Sequence, residues 1–268
     1  MTGKLQSTTR AKLPAAVALI VILAVWQLVT ATGIVPQYML PSPVSVVKAF
    51  ISEAPALWQH SQVTLQEAVY GLALGVAIGF IFALLMDSFD VLYRAFYPIL
   101  VITQTIPTVA IAPLLVLWFG YEMTPKIVLI VLVTFFPVAV GLLDGFRAVD
   151  KDEIKLLRSM GAGKWQIFRY IKCPAALPQF FSGLRIAAAY SVVGAVISEW
   201  LGGFSGLGVY MTRVKKAYAF DKMFAVIFLI SIISLLLMAL VNFLEKKSTP
   251  YLHYNDKKIG KKRENEKP

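Results

Sequence analysis

A single cysteine, two histidines and only 15% charged residues are spread over 268 positions, and each scarcity removes a class of function. One thiol, Cys173, cannot close an internal disulfide. His60 and His253 have no Cys or carboxylate neighbours at metal-ligand spacing, so no metal site is expected. No Gly-x-x-x-x-Gly-Lys-Ser/Thr loop, Gly-x-Ser-x-Gly elbow or His-Glu-x-x-His motif occurs, and nothing suggests that the chain hydrolyses a nucleotide or a peptide bond itself. No catalytic residue and no cofactor bound by the chain is expected.

What is present is apolar. Hydrophobic residues make up 58% of the chain and its mean hydropathy is +0.70, against roughly 45–50% apolar in soluble domains. A cytosolic enzyme domain is thereby excluded. The 26 Lys and Arg against 15 Asp and Glu give a net charge of +11. In a soluble protein that excess would suggest nucleic acid, but in a membrane protein basic residues serve to keep loops on the cytoplasmic side. The expected partner is the lipid bilayer, with no nucleic acid.

Six apolar blocks, at about 13–32, 63–86, 96–119, 126–143, 184–201 and 224–244, are each long enough to cross roughly 30 Å of hydrocarbon. The chain therefore reads as an all-α integral membrane protein with six transmembrane helices. It divides into an N-terminal tail at 1–12, a spanning domain at 13–245 and a basic tail at 246–268. The first block lacks a small-x-small cleavage site and is read as an uncleaved helix. With both termini inside, nineteen of the 26 basic residues fall on the cytoplasmic side, and Arg213, Lys215 and Lys216 form the main exception outside. The 96–119 block, interrupted by Pro98, Pro107 and Pro113, is expected to kink or unwind.

Gly71, Gly75 and Gly79 place three missing side chains on one helix face, which fits either a moving seam beside a pore or static packing within the protomer. Leu40-Pro41-Ser42-Pro43 reads as a turn feeding a short amphipathic helix that lies along the outer membrane interface, or else as a plain connector. Glu67, Arg185 and Glu199 lie near the ends of their blocks and are expected to anchor helix ends at water; a buried proton relay is the alternative. Around Pro107, the polar Gln104, Thr105 and Thr108 are expected to line a translocation path with Ser191 and Ser198 opposite; internal packing of a kinked helix would also explain them.

Residues 144–178 are too polar to span and too rich in helix formers to be slack. Asp150 and Glu153 give a capping-box-like start, Leu156, Leu157 and Met160 an apolar stripe, and Gly161-Ala162-Gly163 a stop. A second short helix carries Trp165, Phe168 and Ile171 and is expected to end before Pro174. Helices this short need a supporting surface, either the chain's own helix ends or a groove on another subunit.

The run Leu156-Leu157-Arg158-Ser159-Met160-Gly161-Ala162-Gly163-Lys164-Trp165, with Phe168, Pro174-Ala175-Ala176-Leu177-Pro178 and Gly183-Leu184-Arg185, resembles the EAA loop of binding-protein-dependent ABC importer permeases. Ile106-Pro107, Pro113-Leu114 and Leu117-Trp118-Phe119-Gly120, with Leu40-Pro41-Ser42-Pro43, look like the subgroup importing nitrate, taurine, alkanesulfonates and the pyrimidine precursor of thiamine. The resemblance implies a type I ABC importer permease (MetI-like) fold in a bacterial cytoplasmic membrane. It implies a homodimer working with a cytoplasmic ABC ATPase dimer, which uses ATP and Mg, and with an extracytoplasmic binding protein. Lys155, Leu156, Leu157, Met160, Gly161, Ala162, Trp165 and Phe168 would then contact the ATPase. The family has an acid where Lys155 stands and small residues where Leu156 and Leu157 stand, which implies a groove suited to a bulkier, more basic helix. Ser198-Glu199-Trp200-Leu201-Gly202-Gly203, Ser205-Gly206-Leu207-Gly208 and Asp221-Lys222-Met223-Phe224-Ala225 look most like permeases for a hydroxymethylpyrimidine-type thiamine precursor, with sulfonate, taurine or nitrate as alternatives. A secondary transporter is the rival from another class, but it should show paired broken spans in two halves, and only one span here is broken by prolines.

Overall fold

The computed structural model describes residues 3–36 and 38–250, and residues 1, 2 and 251–268 of the expected tails lie outside them. Every regular element among the described residues is helical. Helix α1 (Gly3–Ala31) leads through a turn to α2 (Pro43–Ser52). Ser42 caps α2 by accepting the Ser45 N–H at 3.2 Å, and Pro43 at the first turn costs no hydrogen bond there. Val46 and Ala49 of α2 are buried against Trp26 and Phe224, so the amphipathic helix exists and packs within the protein.

Helix α3 (Ala54–Ser88) starts nine residues before the apolar block that announces it. Helices α4 (Asp90–Thr103) and α5 (Thr108–Phe119) are the two halves of the proline-broken block, bent by 98°. The cause is local: Pro107 has no N–H to donate and takes an extended conformation as it starts α5. Helix α6 (Met123–Arg147) then runs to the opposite end of the bundle.

After α6 come α7 (Lys151–Ser159) and α8 (Lys164–Ile167). The second short helix does not end before Pro174. It passes through one π-helical turn, Phe168–Lys172, into α9 (Cys173–Gly202), giving a continuous rod of 39 residues from Lys164 to Gly202. The π turn is the physical reason: the Cys173 N–H reaches back five residues to the Phe168 carbonyl, and the wider turn makes room where proline would clash with a normal one. Helices α10 (Leu207–Lys216) and α11 (Phe220–Ser248) complete the order.

Among the described residues, four helices are long and apolar enough to cross a membrane: α3, α6, the Lys164–Gly202 rod and α11. The bent α4–α5 pair makes a fifth if counted as one span, and α1 contributes a shorter apolar stretch, Ala16–Ala31. The centre is α6, packed between α3 and α9. Side chains added at Gly71, Gly75 or Gly79 would strike Ile130, Thr134 or Val138 and the adjoining backbone of α6. The glycine face is thus spent on packing within the chain. In lipid, where burying apolar surface gives little net drive, such close backbone contact is what holds helices together.

Candidate functional site

Three features combine chemistry with unusual placement. The first is the α7–α8 hairpin. Asp150 caps α7 by accepting the Asp152 N–H at 2.9 Å. At its other end Gly161 has φ +87°, the Gly161 N–H donates to Arg158 O and the Ala162 N–H to Leu157 O, each at 3.0 Å. This left-handed stop satisfies the last carbonyls and suits glycine. Ile167 is buried and Phe168 packs on Phe146, so the hairpin is fastened at its root. Lys172 adds a two-pronged bond to Asp87 at the end of α3, at 2.7 and 2.8 Å.

Its outward face is bare. Leu156, Met160 and Trp165 are 62%, 75% and 72% exposed, Leu157 and Ala162 are half-buried, and no residue of α7 is buried. Lys155 is exposed and paired with Asp152 one turn earlier, at 2.8 Å. A helix that turns an apolar stripe outward at a polar end of the molecule is built to be covered.

The second feature is the bend. Gln104, Thr105 and Pro107 are exposed and Thr108 is half-buried. Gln104 borders a hollow of about 460 Å³ whose wall includes Phe136, Val140, Asp144, Gln179, Ser182 and Tyr190. Ser191 and Ser198 lie elsewhere. Both are buried and donate to carbonyls three residues back in their own helix, at 2.8 and 2.7 Å. The structure therefore gathers Gln104 with Asp144, Gln179, Ser182 and Tyr190, four residues that the sequence reading passed over. Their signal was the placement of Gln179, Ser182 and Tyr190 on one face of α9 at helical spacing.

The third feature is a buried polar cluster at the end of the bundle opposite α7, where the sequence reading expected water-reaching anchors. That expectation is corrected. Glu67 and Glu199 are each 2% exposed and Lys126 is 6% exposed. Lys126 donates to Glu67 at 2.6 Å. Thr64 donates to Glu199 Oε1 at 2.7 Å, and the Gly208 N–H donates to its Oε2 at 2.6 Å. Thr64 in turn accepts the Leu207 N–H at 2.8 Å, and His60 Nδ1 accepts the Gly206 N–H at 3.0 Å. Burial became possible because α3 begins early, setting Glu67 well inside a helix and not at its edge. Arg185, by contrast, is partly exposed and engages Glu245 and Asn242 of α11. Among the described residues no group of His, Cys, Asp and Glu has metal-site geometry.

Against known proteins, residues 75–249 match the family described as binding-protein-dependent transport system inner membrane component. A probable ABC transporter permease protein of Haemophilus influenzae is 42% identical, over 84% of this chain and 91% of its own. The formylaminopyrimidine transport permease protein ThiX of Halalkalibacterium halodurans is 38% identical over 87% of this chain and 93% of its own. Among solved structures, an inward-facing form of the MetNI methionine ABC transporter superimposes with a TM-score of 0.59 at 20% identity, covering 73% of this chain and 95% of the matched one.

Proposed function

This chain belongs to the family of binding-protein-dependent transport system inner membrane components and is an ABC importer permease; from that premise we propose that it carries a small organic solute across the cytoplasmic membrane as one of two identical copies. An ATPase dimer docks on α7–α8 and supplies the energy, and an extracytoplasmic binding protein delivers the solute. The observation that carries this reading is the bare apolar stripe of Leu156, Met160 and Trp165 on a hairpin whose root is fixed by Ile167, Phe168 and the Lys172–Asp87 pair. Such a surface transmits force only if its joint holds its angle, and Gly161 sets that angle. Gln104, Thr105, Pro107 and Thr108 at the bend are proposed to border the solute's path.

The test is Gly161→Val. Valine at a left-handed position costs roughly 1–2 kcal/mol and has to shift the hairpin. Transport and co-purification of the ATPase should fall while the thermal midpoint of the membrane part stays near the wild-type value. Normal transport together with wild-type ATPase yield sinks the docking assignment.

The solute is proposed to be a hydroxymethylpyrimidine-type thiamine precursor. In support, the ThiX relative is 38% identical along nearly its whole length, and two basic side chains on the spanning helices, Lys126 and Arg185, are engaged by Glu67 and Glu245. Among the described residues no Lys or Arg lines the hollow beside Gln104, and such a wall suits a neutral or weakly basic ring better than a sulfonate or nitrate. Calorimetry on the partner binding protein, comparing an aminopyrimidine with taurine, an alkanesulfonate and nitrate, decides the matter. Tight binding of a sulfonate alone would overturn the solute and leave the importer assignment standing.

A further inference from the structure

We propose that α10 is the lever by which this permease senses its extracytoplasmic partner. In this arrangement its exposed basic tip takes up the partner's acidic rim, and Glu199 with Thr64 forms the joint that makes α10 move as one piece with the rod reaching the coupling hairpin. The inference rests on the importer reading and adds to it which residues receive the outer signal and which pass it on.

The joint comes first. Glu199 sits on the last turn of the Lys164–Gly202 rod, and Trp165 sits on its first. At 1.5 Å per residue the two are separated by about 50 Å of uninterrupted helix. The N–H groups at the start of α10 have no partners within that helix. Here the Gly208 N–H goes to Glu199, the Leu207 N–H to Thr64, and the preceding Gly206 N–H to His60, while Thr64 also donates to Glu199. Helix α10 is therefore tied at one end to both α3 and α9. A Cβ built on Gly206 or Gly208 would run into the Glu199 side chain, so the fit leaves no slack. Opening the joint would strand a buried carboxyl group without its hydrogen bonds to Thr64 and Gly208, and buried polar groups are costly to leave unpaired. The joint is closed as a unit or not at all.

The tip comes next. Arg213, Lys215 and Lys216 are exposed in the last turn of α10, and none has an ion-pair partner among the described residues. Phe204 and Tyr218, each 78% exposed, flank them, and Arg213 donates to Phe204 O at 3.0 Å. With both termini inside, as the basic residues favour, these cations fall on the side of the membrane where the same rule disfavours them, so insertion alone does not account for them. A lipid headgroup is the poorer occupant. A helix lying in the membrane interface turns its apolar face to lipid, whereas α10 spends that face, Leu207, Tyr210 and Val214, against Leu57 and Val226 inside the protein. What remains outward is a cationic and aromatic knob, the surface that an acidic protein rim complements.

The experiment uses the complete transporter with its ATPase in vesicles, measuring the ATPase rate as its binding protein is titrated. Lys215→Glu with Lys216→Glu should raise the half-saturating concentration about tenfold and leave the plateau unchanged, because only encounter is weakened. Thr64→Val, which keeps shape and loses the hydroxyl, should do the reverse: the same half-saturation, with the fold-stimulation at the plateau cut at least about fivefold. Thr64→Ser should restore it. A Thr64→Val protein with wild-type stimulation overturns the joint, as does one whose defect Ser does not rescue. Unchanged half-saturation in the charge reversal, or a loss seen only with anionic lipid, overturns the tip. If the wild-type transporter shows no stimulation at all, it is the importer reading that fails.

Discussion

Glu53 ties three elements together from a position between helices. It accepts from Lys222 of α11 and from the Tyr210 hydroxyl of α10, the latter at 2.9 Å. Those two bonds hold its carboxyl below the ordinary 4.5, and burial together with Glu53 pushes the Tyr210 phenol up, so it stays a donor at neutral pH. A carboxylate whose pKa is lower folded than unfolded lends stability in full above its ordinary value and loses it as pH falls through the lowered one. The thermal midpoint in detergent should therefore drop below about pH 4.5, and Glu53→Gln should flatten that part of the profile; an unchanged profile refutes the tie. Deeper in the same end, Lys126→Met leaves Glu67 buried and unpaired, a change that typically costs about 3–5 kcal/mol. The double variant Lys126→Met with Glu67→Met should recover most of the loss in an unfolding titration. This pair was illegible in the sequence, because the opening of α3, Trp58-Gln59-His60-Ser61-Gln62, is polar enough to hide a helix start, and Glu67 looked terminal as a result.

At the scale of elements, α7 was legible nearly residue by residue, since a cap, a stripe and a glycine stop are local chemistry: Asp150, Leu156, Met160 and Gly161 all stand where such signals put them. The continuity through Pro174 was not, because proline reads as a stop and a π turn leaves no periodic mark. The bend at 104–107 was foreseen for the right cause, the proline, although its 98° was not. Trp165 is exposed and stacks only partly on Phe168, at 5.8 Å between ring centres. Trp165→Ala should accordingly leave the thermal midpoint unchanged and weaken ATPase binding by about 2 kcal/mol, roughly thirtyfold in a pull-down titration. Lys155→Glu, which breaks only an exposed pair with Asp152, should shift ATPase affinity without touching stability. A fall in stability for either variant would show the hairpin to be propped from within.

For the whole molecule, the distribution of basic residues predicts that the α7–α8 hairpin and the α10 tip face opposite sides. In a background lacking Cys173, an impermeant thiol reagent added to intact cells should label Ser205→Cys and spare Ser159→Cys; labelling of the second sinks that orientation. The π turn at Phe168–Lys172 has a consequence for how these two ends are clocked against each other. A π turn is one residue inserted into an α-helix and taken up by a wider turn, so the sequence before it is offset by one position, worth about 100° at 3.6 residues per turn, while the helix itself keeps its course. Deleting one residue there, Tyr170 for example, would restore ordinary winding and leave Trp165 close to its present bearing and height relative to Glu199. The same deletion in the α-helical part of the rod would swing it by about 100° and draw it about 1.5 Å nearer. The compass bearing of the α7–α8 hairpin relative to the α10 end is thus protected at this one turn, which absorbs a residue that ordinary helix would convert into rotation.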